Sequence, residues 1–293
     1  MHRRRFRWIV LSLPILLTVV GTTGPATATP GGRNCVSAWG VVSSPNVNPR
    51  ANALNGVAAS SSTDAWAVGW YAVGGNVDRS LTERWDGTSW TVVPTPTVGA
   101  AADFLEGVTS GPAQGTWAVG VTRDDWLNNG VINPLILHWD GTAWHRVKSP
   151  NAGPASAAND LVSVSAVATD DIWAVGVRGL HTLAMRWDGT SWSVVSSPTP
   201  GGIADLAGVV AVSTDDAWAV GGWVDPQANA VRTLVEHWDG TSWTVVESAN
   251  KGSSDNHLWG IAAAAGRMLA VGDRFSGGGD GPVVPLSLER CAI

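Results

Sequence analysis

The hexapeptide WDGTSW occurs at 85–90, 187–192 and 238–243, and a fourth copy, WDGTAW, at 139–144. A chain that reuses one tryptophan-flanked turn in this way is built from copies of a single supersecondary unit, so its period constrains the fold more than any other feature. Upstream of each copy stands a second motif, TDAWAVG, GTWAVG, DIWAVG or DAWAVG, with its tryptophan at 66, 117, 173 and 218. RMLAVG at 267–272 puts Leu269 in the same slot, and the successive spacings are 51, 56, 45 and 51 residues. Further upstream lies an apolar segment at 54–57, 105–108, 161–164, 206–209 and 258–261.

Each unit therefore reads as four short strands, A to D, rich in Val, Trp, Leu and Thr and bounded by Gly, Pro, Asn and Asp. No segment has the period of a three-turn helix. Four-stranded units at a period of roughly 40–50 residues predict a β-propeller, whose blades cover one another's apolar faces. Asp-Gly between strands C and D predicts a tight hairpin with positive φ at both residues. Tryptophans that recur in every unit are expected to build the blades. Residues 38–45 (AWGVVSSP) match 191–198 (SWSVVSSP), a strand D without its unit, while 257–291 supply strands A, B and C and then stop. The expected fold is thus all-β: a five-bladed β-propeller with four antiparallel strands per blade, closed by an N-terminal strand that completes the C-terminal blade. Cys291 fills the slot of Trp85, and Cys35, four residues before Trp39, fills that of Asp86. Those slots are neighbours in intact units, so a Cys35–Cys291 disulfide is expected where the covalent turn is missing.

The first residues read as export machinery. HRRRFR at 2–7 carries four arginines, 8–20 is a short apolar run, and Ala26-Thr27-Ala28 is a small-x-small cleavage site. We expect a signal peptide over 1–28, a single propeller domain over 29–293, and a secreted, extracellular product. Removing 1–28 takes four of 18 Lys+Arg and none of 24 Asp+Glu, leaving 14 against 24, net −10. That sign excludes a phosphate-backbone binder and disfavours an anionic membrane, and no second apolar run is long enough to span a bilayer. The six histidines have no metal-ligand spacing. His138 and His237 share the slot of Arg84, Arg186 and Arg290 and read as a repeating interblade or surface cation. No metal or cofactor is expected.

The fourth unit, DAWAVGGWVDPQANAVRTLVEHWDGTSWTVV, resembles a kelch repeat: an aromatic before a Val-Gly-Gly strand end, a variable loop, then a charged-aromatic-Asp group and a spaced Trp. DGTSW is similar to a shortened Asp-box turn. Over nearly all of 36–291 the chain resembles exported bacterial kelch-like and Asp-box-like propeller proteins, which implies the same fold. It departs from the kelch pattern in keeping the diglycine only at Gly221-Gly222. The copper radical oxidases of that family need more than one tyrosine at the metal, and this chain has only Tyr71. A sialidase would set a tyrosine beside an arginine triad on a different number of blades.

Candidate binding residues fall in the variable B–C loops, because variable loops on a rigid scaffold carry recognition. Each loop supplies an arginine (Arg79, Arg123, Arg178, Arg232, Arg274) and a ring (Trp70 or Tyr71, Trp126, His181, Trp223, Phe275). A ring covers the C–H face of a sugar and charged groups bond its hydroxyls. The expected function is a secreted binding protein for a glycan or another extracellular ligand; the alternatives are a protein-interaction scaffold, or a polysaccharide hydrolase or lyase. The enzyme reading rests on Asp103, Asp160, Asp205 and Asp255 at the start of the innermost strands, with Glu106 inside one. Against it, an Asp or Asn recurs there in every unit, as turn capping requires. Glu106 alone breaks the repeat, its counterparts being Asn55, Val162, Ala207 and Trp259.

Overall fold

The computed structural model describes residues 40–111, 115–125, 132–150, 158–264, 266–275 and 282–291. The expected signal peptide, Cys35, Trp39 and Trp126 lie outside them. The first sheet holds β1 (Asn52–Ser61), β2 (Asp64–Ala72), β3 (Asp78–Trp85) and β4 (Trp90–Val92). The second holds β5 (Ala102–Gly111), β6 (Gly115–Arg123), β7 (Ile132–Trp139) and β8 (Trp144–Arg146). The third holds β9 (Asn159–Ala168), β10 (Asp171–Arg178), β11 (His181–Trp187) and β12 (Trp192–Val195), and the fourth β13 (Ala204–Ser213), β14 (Asp216–Asp225), β15 (Ala230–Trp238) and β16 (Trp243–Val245). The last has β17 (Asn256–Ala264), β18 (Arg267–Phe275) and β19 (Val283–Cys291). Within each sheet the strands pair antiparallel in chain order, and a single parallel bridge, Asp78 to Ala102, links the first sheet to the second. The innermost strands pack in series, β1 on β5, β5 on β9, β9 on β13 and β13 on β17. This is an all-β architecture of propeller type.

Two glycine positions explain the repeated motifs. Each innermost strand bulges after its apolar residue, at Leu54/Gly56, Leu105/Gly107, Leu206/Gly208 and Leu258/Gly260, and between Leu161 and Ser163 opposite Gly176 and Val175. The bulge drives a carbonyl onto strand B, where a Cβ on Gly69, Gly120, Gly176, Gly221 or Gly272 would collide with it. That is why every unit ends its second motif in glycine. On the innermost strand itself, a Cβ on Gly107 would stand 2.8 Å from Val162 O, so backbone meets backbone between sheets.

Trp66, Trp117, Trp173 and Trp218 are buried, as expected, whereas of the hairpin tryptophans Trp85 and Trp90 are only half-buried. Trp66 meets Trp139 and Trp144 of the next sheet at 4.8 and 4.9 Å, Trp117 meets Trp187 and Trp192 at 5.0 and 5.7 Å, and Trp173 meets Trp238 and Trp243 at 4.9 and 5.0 Å. Edge and tilted ring pairs of this kind contribute roughly 0.5–1.5 kcal/mol each beyond the area they bury. The repeating cation lies between sheets: Arg84 sits over Trp66 and Trp139, Arg186 over Trp173 and Trp238, and His138 and His237 stack on Trp117 and Trp218.

Two expectations need correction. In the C–D hairpins only glycine takes positive φ, 95° at Gly87, and the aspartate has another role. Asp86 Oδ1 accepts Thr88 N–H, Thr88 O–H and Ser89 N–H, and Asp140, Asp188 and Asp239 do the same in their turns. Second, the described part of the expected N-terminal strand, residues 40–45, forms no strand, and among the described residues the fifth sheet has three strands. Residues 40–42 are exposed, and the segment is held instead by Ser44, whose O–H donates to Glu83 at 2.8 Å. Cys291 is a free, exposed thiol among the described residues, and its expected partner lies outside them.

Candidate functional site

A strand alternates its faces with a period of two, and that separates the carboxylates which the sequence grouped together. Asp103 falls in the row Asn52, Asp103, Asn159, Ala204 and Asn256, two before the apolar residue. Its buried carboxylate accepts Val98 N–H at 2.9 Å, Gly99 N–H at 2.7 Å and Thr122 O–H at 2.7 Å. Asn52 and Asn256 likewise accept linker N–H groups from Val47 and Lys251. This row caps turns. Asp255 belongs with it in role, accepting Val231 N–H at 2.8 Å.

Asp160 and Asp205 stand one residue later, in the row Ala53, Phe104, Asp160, Asp205 and His257, on the opposite side of the strand. Asp160 has one carboxylate oxygen buried without a hydrogen-bond partner. Burial first, and then the charge of Glu106, raise its carboxyl to about 7, while Arg123 opposes them. Burial also raises Glu106, the bulged residue of β5. A carboxyl pair and a guanidinium thus come together where the second and third sheets meet. Between the fourth and fifth sheets, Asp205 Oδ2 lies 2.9 Å from His257 Nε2, and the His257 ring packs on Trp259 with centroids 4.0 Å apart. Trp259 donates its indole N–H to Asp273 Oδ2 at 3.0 Å. Trp259 occupies the same bulge position as Glu106, and it is 52% exposed, the one exposed tryptophan among the described residues. His257 and Asp273 were missed in the sequence; comparing them slot by slot with Asp160 and Asp205 would have marked His257.

Both groups open at the strand ends that carry the B–C loops, since Asp160 pairs with Val177, next to the turn into β11. The loop candidates divide. Arg79 donates to Asp78 O at 2.8 Å and to Ala100 O at 3.2 Å, and Arg232 to Ser254 O at 3.3 Å, so both clamp the linker into the following sheet. Trp70 packs edge-on to Phe104 at 5.4 Å, and Trp223 packs against the core between the third and fourth sheets. Tyr71 is half-buried opposite Arg79, and Phe275 donates its N–H to Asp255 O at 2.9 Å beside half-buried Arg274. His181 is exposed at the β10–β11 turn, opposite Arg178 and next to exposed Leu180. Of the arginines, Arg123 alone joins the carboxyl pair. No group of three or more His, Cys, Asp or Glu among the described residues is arranged to hold a metal ion.

No protein-family model matches the chain, and no curated protein matches it. Among solved structures it is similar to YCF48 bound to D1 peptide, at 12% identity and a TM-score of 0.46, covering 76% of this chain and 63% of that one. It is also similar to a putative exo-beta-1,3-galactanase from Bifidobacterium bifidum, at 13% identity and a TM-score of 0.44, covering 78% of this chain and 85% of that one. A GH43 endo-arabinanase from Bacillus licheniformis matches at 10% identity and a TM-score of 0.39, covering 80% of this chain and 92% of that one. These neighbours are propeller proteins, and the likeness concerns the fold alone.

Proposed function

We propose that the chain is an exported five-bladed propeller that binds a glycan at the row of bulged residues and their neighbours, toward the variable loops. The observation that carries this reading is Trp259: an exposed indole tethered to Asp273 and backed by the His257 ring, which in turn meets Asp205. A fixed ring offers its face to sugar C–H groups at little entropic cost, and nearby carboxylates accept bonds from sugar hydroxyls. His181, Arg178, Tyr71, Arg274 and Phe275 then form a rim on the same side, and the Trp126 candidate lies outside the described residues. A glycan array tests it. The unaltered protein should give reproducible hits that weaken at least tenfold in Trp259→Ala and stay unchanged in Asp86→Asn, which alters a turn at the opposite strand ends.

A second reading, a polysaccharide-acting hydrolase, draws on the raised carboxyls of Glu106 and Asp160. Two neighbouring carboxyls, one of them raised to about 7, are the kind of pair that acid–base cleavage of a glycosidic bond uses. Release of reducing sugar, abolished by Glu106→Gln with array binding retained, would establish it. Blank results in both assays leave the protein-interaction scaffold.

A further inference from the structure

The second sheet departs from its neighbours where its outermost strand, β8, runs into the next linker. In the first, third and fourth sheets a hydroxyl just before the buried leucine of strand C holds that linker. Ser80 Oγ lies 2.7 Å from Thr95 Oγ1, Thr182 O–H donates to Pro198 O at 2.8 Å, and Thr233 Oγ1 lies 2.8 Å from Ser248 Oγ. One residue earlier stand the clamps Arg79 and Arg232. In the second sheet these two slots hold Pro134 and Asn133. Proline has no hydroxyl to offer. Ser149, in the slot of Thr95 and Ser248, keeps only a 3.5 Å contact with Pro134 O, and a cleft of about 450 Å³ opens between Asn133, Pro134, Arg146, Lys148 and Ser149.

Two cations line this cleft. Arg146 pairs with Leu137 and so shares the face that Leu137 and Trp144 turn toward the first sheet; Lys148 follows two residues later. Both are exposed, and neither has an ion pair or hydrogen bond among the described residues. The repeat does not require them: the counterparts of Arg146 are Val92, Val194 and Val245, and those of Lys148 are Pro94, Ser196 and Glu247. The latch is therefore lost and the charge gained at the same place.

We propose that this cleft is a second binding site, which takes the anionic group of an acidic polysaccharide. The Arg146 fork bonds two oxygens of a uronate carboxylate or of a sulfate, Lys148 adds a point charge, and the Ser149 hydroxyl and Asn133 amide donate to what remains. Exposed cations hold a lone anion weakly in salt, so a polymer that also places hydroxyls on Asn133 and Ser149 is a better occupant than a free ion. Duplex DNA fits poorly, because 18 Lys+Arg stand against 24 Asp+Glu over the chain and two cations make a narrow basic surface. Asn133 near the start of β7 and Lys148 just beyond β8 place the cleft at the strand ends that carry the B–C loops. The choice of a polysaccharide rests on the glycan reading above; the cleft and its charge do not.

Titration calorimetry of the full chain with an oligogalacturonate, a dextran sulfate and neutral dextran tests the proposal. At least one of the two charged chains should bind, more weakly as salt is raised, and the tighter of them identifies the anion. Arg146→Ala combined with Lys148→Ala should weaken that binding at least tenfold and leave any heat from neutral dextran unchanged. Pro134→Thr restores the hydroxyl of the other sheets while keeping both cations, and should weaken it severalfold by closing the cleft. Trp259→Ala should leave it unchanged, so failure at either site is read separately from the other. Absence of binding by both charged chains would overturn the proposal, as would binding undiminished in the double variant or in Pro134→Thr. So would polyglutamate or duplex DNA held as tightly as the polysaccharide. Because Arg146 and Lys148 are exposed and unpaired, the double variant keeps the fold, which its circular dichroism checks.

Discussion

Asp160 and Glu236 are carboxyls that the fold keeps close to protonated. Burial raises each to about 7, Glu236 despite its bond from Ser197 and Asp160 with help from Glu106. In the unfolded chain such groups titrate near 4. The folded state therefore holds these protons more tightly, and stability present in full below about pH 4 is lost as pH rises toward 7. Thermal melts of the unaltered protein should show a lower Tm at pH 8 than at pH 5. Asp160→Asn and Glu236→Gln should each flatten that dependence, by on the order of 2 kcal/mol over the interval. A melt that ignores pH in that window would mean that both carboxyls are solvated. Gly120 makes a second residue-scale prediction: an alanine there would drive its Cβ into Phe104 O, and Gly120→Ala should cost more than about 1 kcal/mol in denaturant unfolding.

At the scale of the elements, what was legible in the sequence followed from repetition. The strands, the C–D hairpin and the core role of Trp66, Trp117 and Trp173 came through because each unit restates them. What failed was register. Asp103, Asp160 and Asp205 look alike when aligned by distance from a linker, but linkers differ in length. One residue of slip moves a side chain to the other face of a strand, so Asp103 caps a turn while Asp160 lies against Glu106 and Arg123. The bulge was equally hidden, since only the pairing of Leu105 with Gly120 and Gly107 with Val119 reveals that Glu106 is the extra residue. Trp173, fully buried against two rings of the next sheet, should cost about 3–5 kcal/mol when replaced by alanine. Trp90→Ala should cost visibly less in the same unfolding series, because Trp90 is only half-buried.

Across the whole molecule, the sequence placed variation and repetition at opposite strand ends, and the structure keeps them there: the A–B and C–D hairpins touch, as Trp85, Trp187 and Trp238 donate to Ser62 O, Thr169 O and Thr214 O. The contents of the variable side were less readable, because Arg79 and Arg232 look like ligand contacts in a loop and become linker clamps once the strands pair. On the hairpin side, Asp86, Asp188 and Asp239 are fully exposed and held at about 2, chiefly by the Thr hydroxyl of their own turn, and Asp140 is lowered further by its backbone bonds. Acid strong enough to neutralise ordinary surface carboxylates leaves these four ionised. The molecule thus has a heads and a tails, and an anionic matrix that turns the hairpins away presents the end that bears Trp259 to whatever lies beyond.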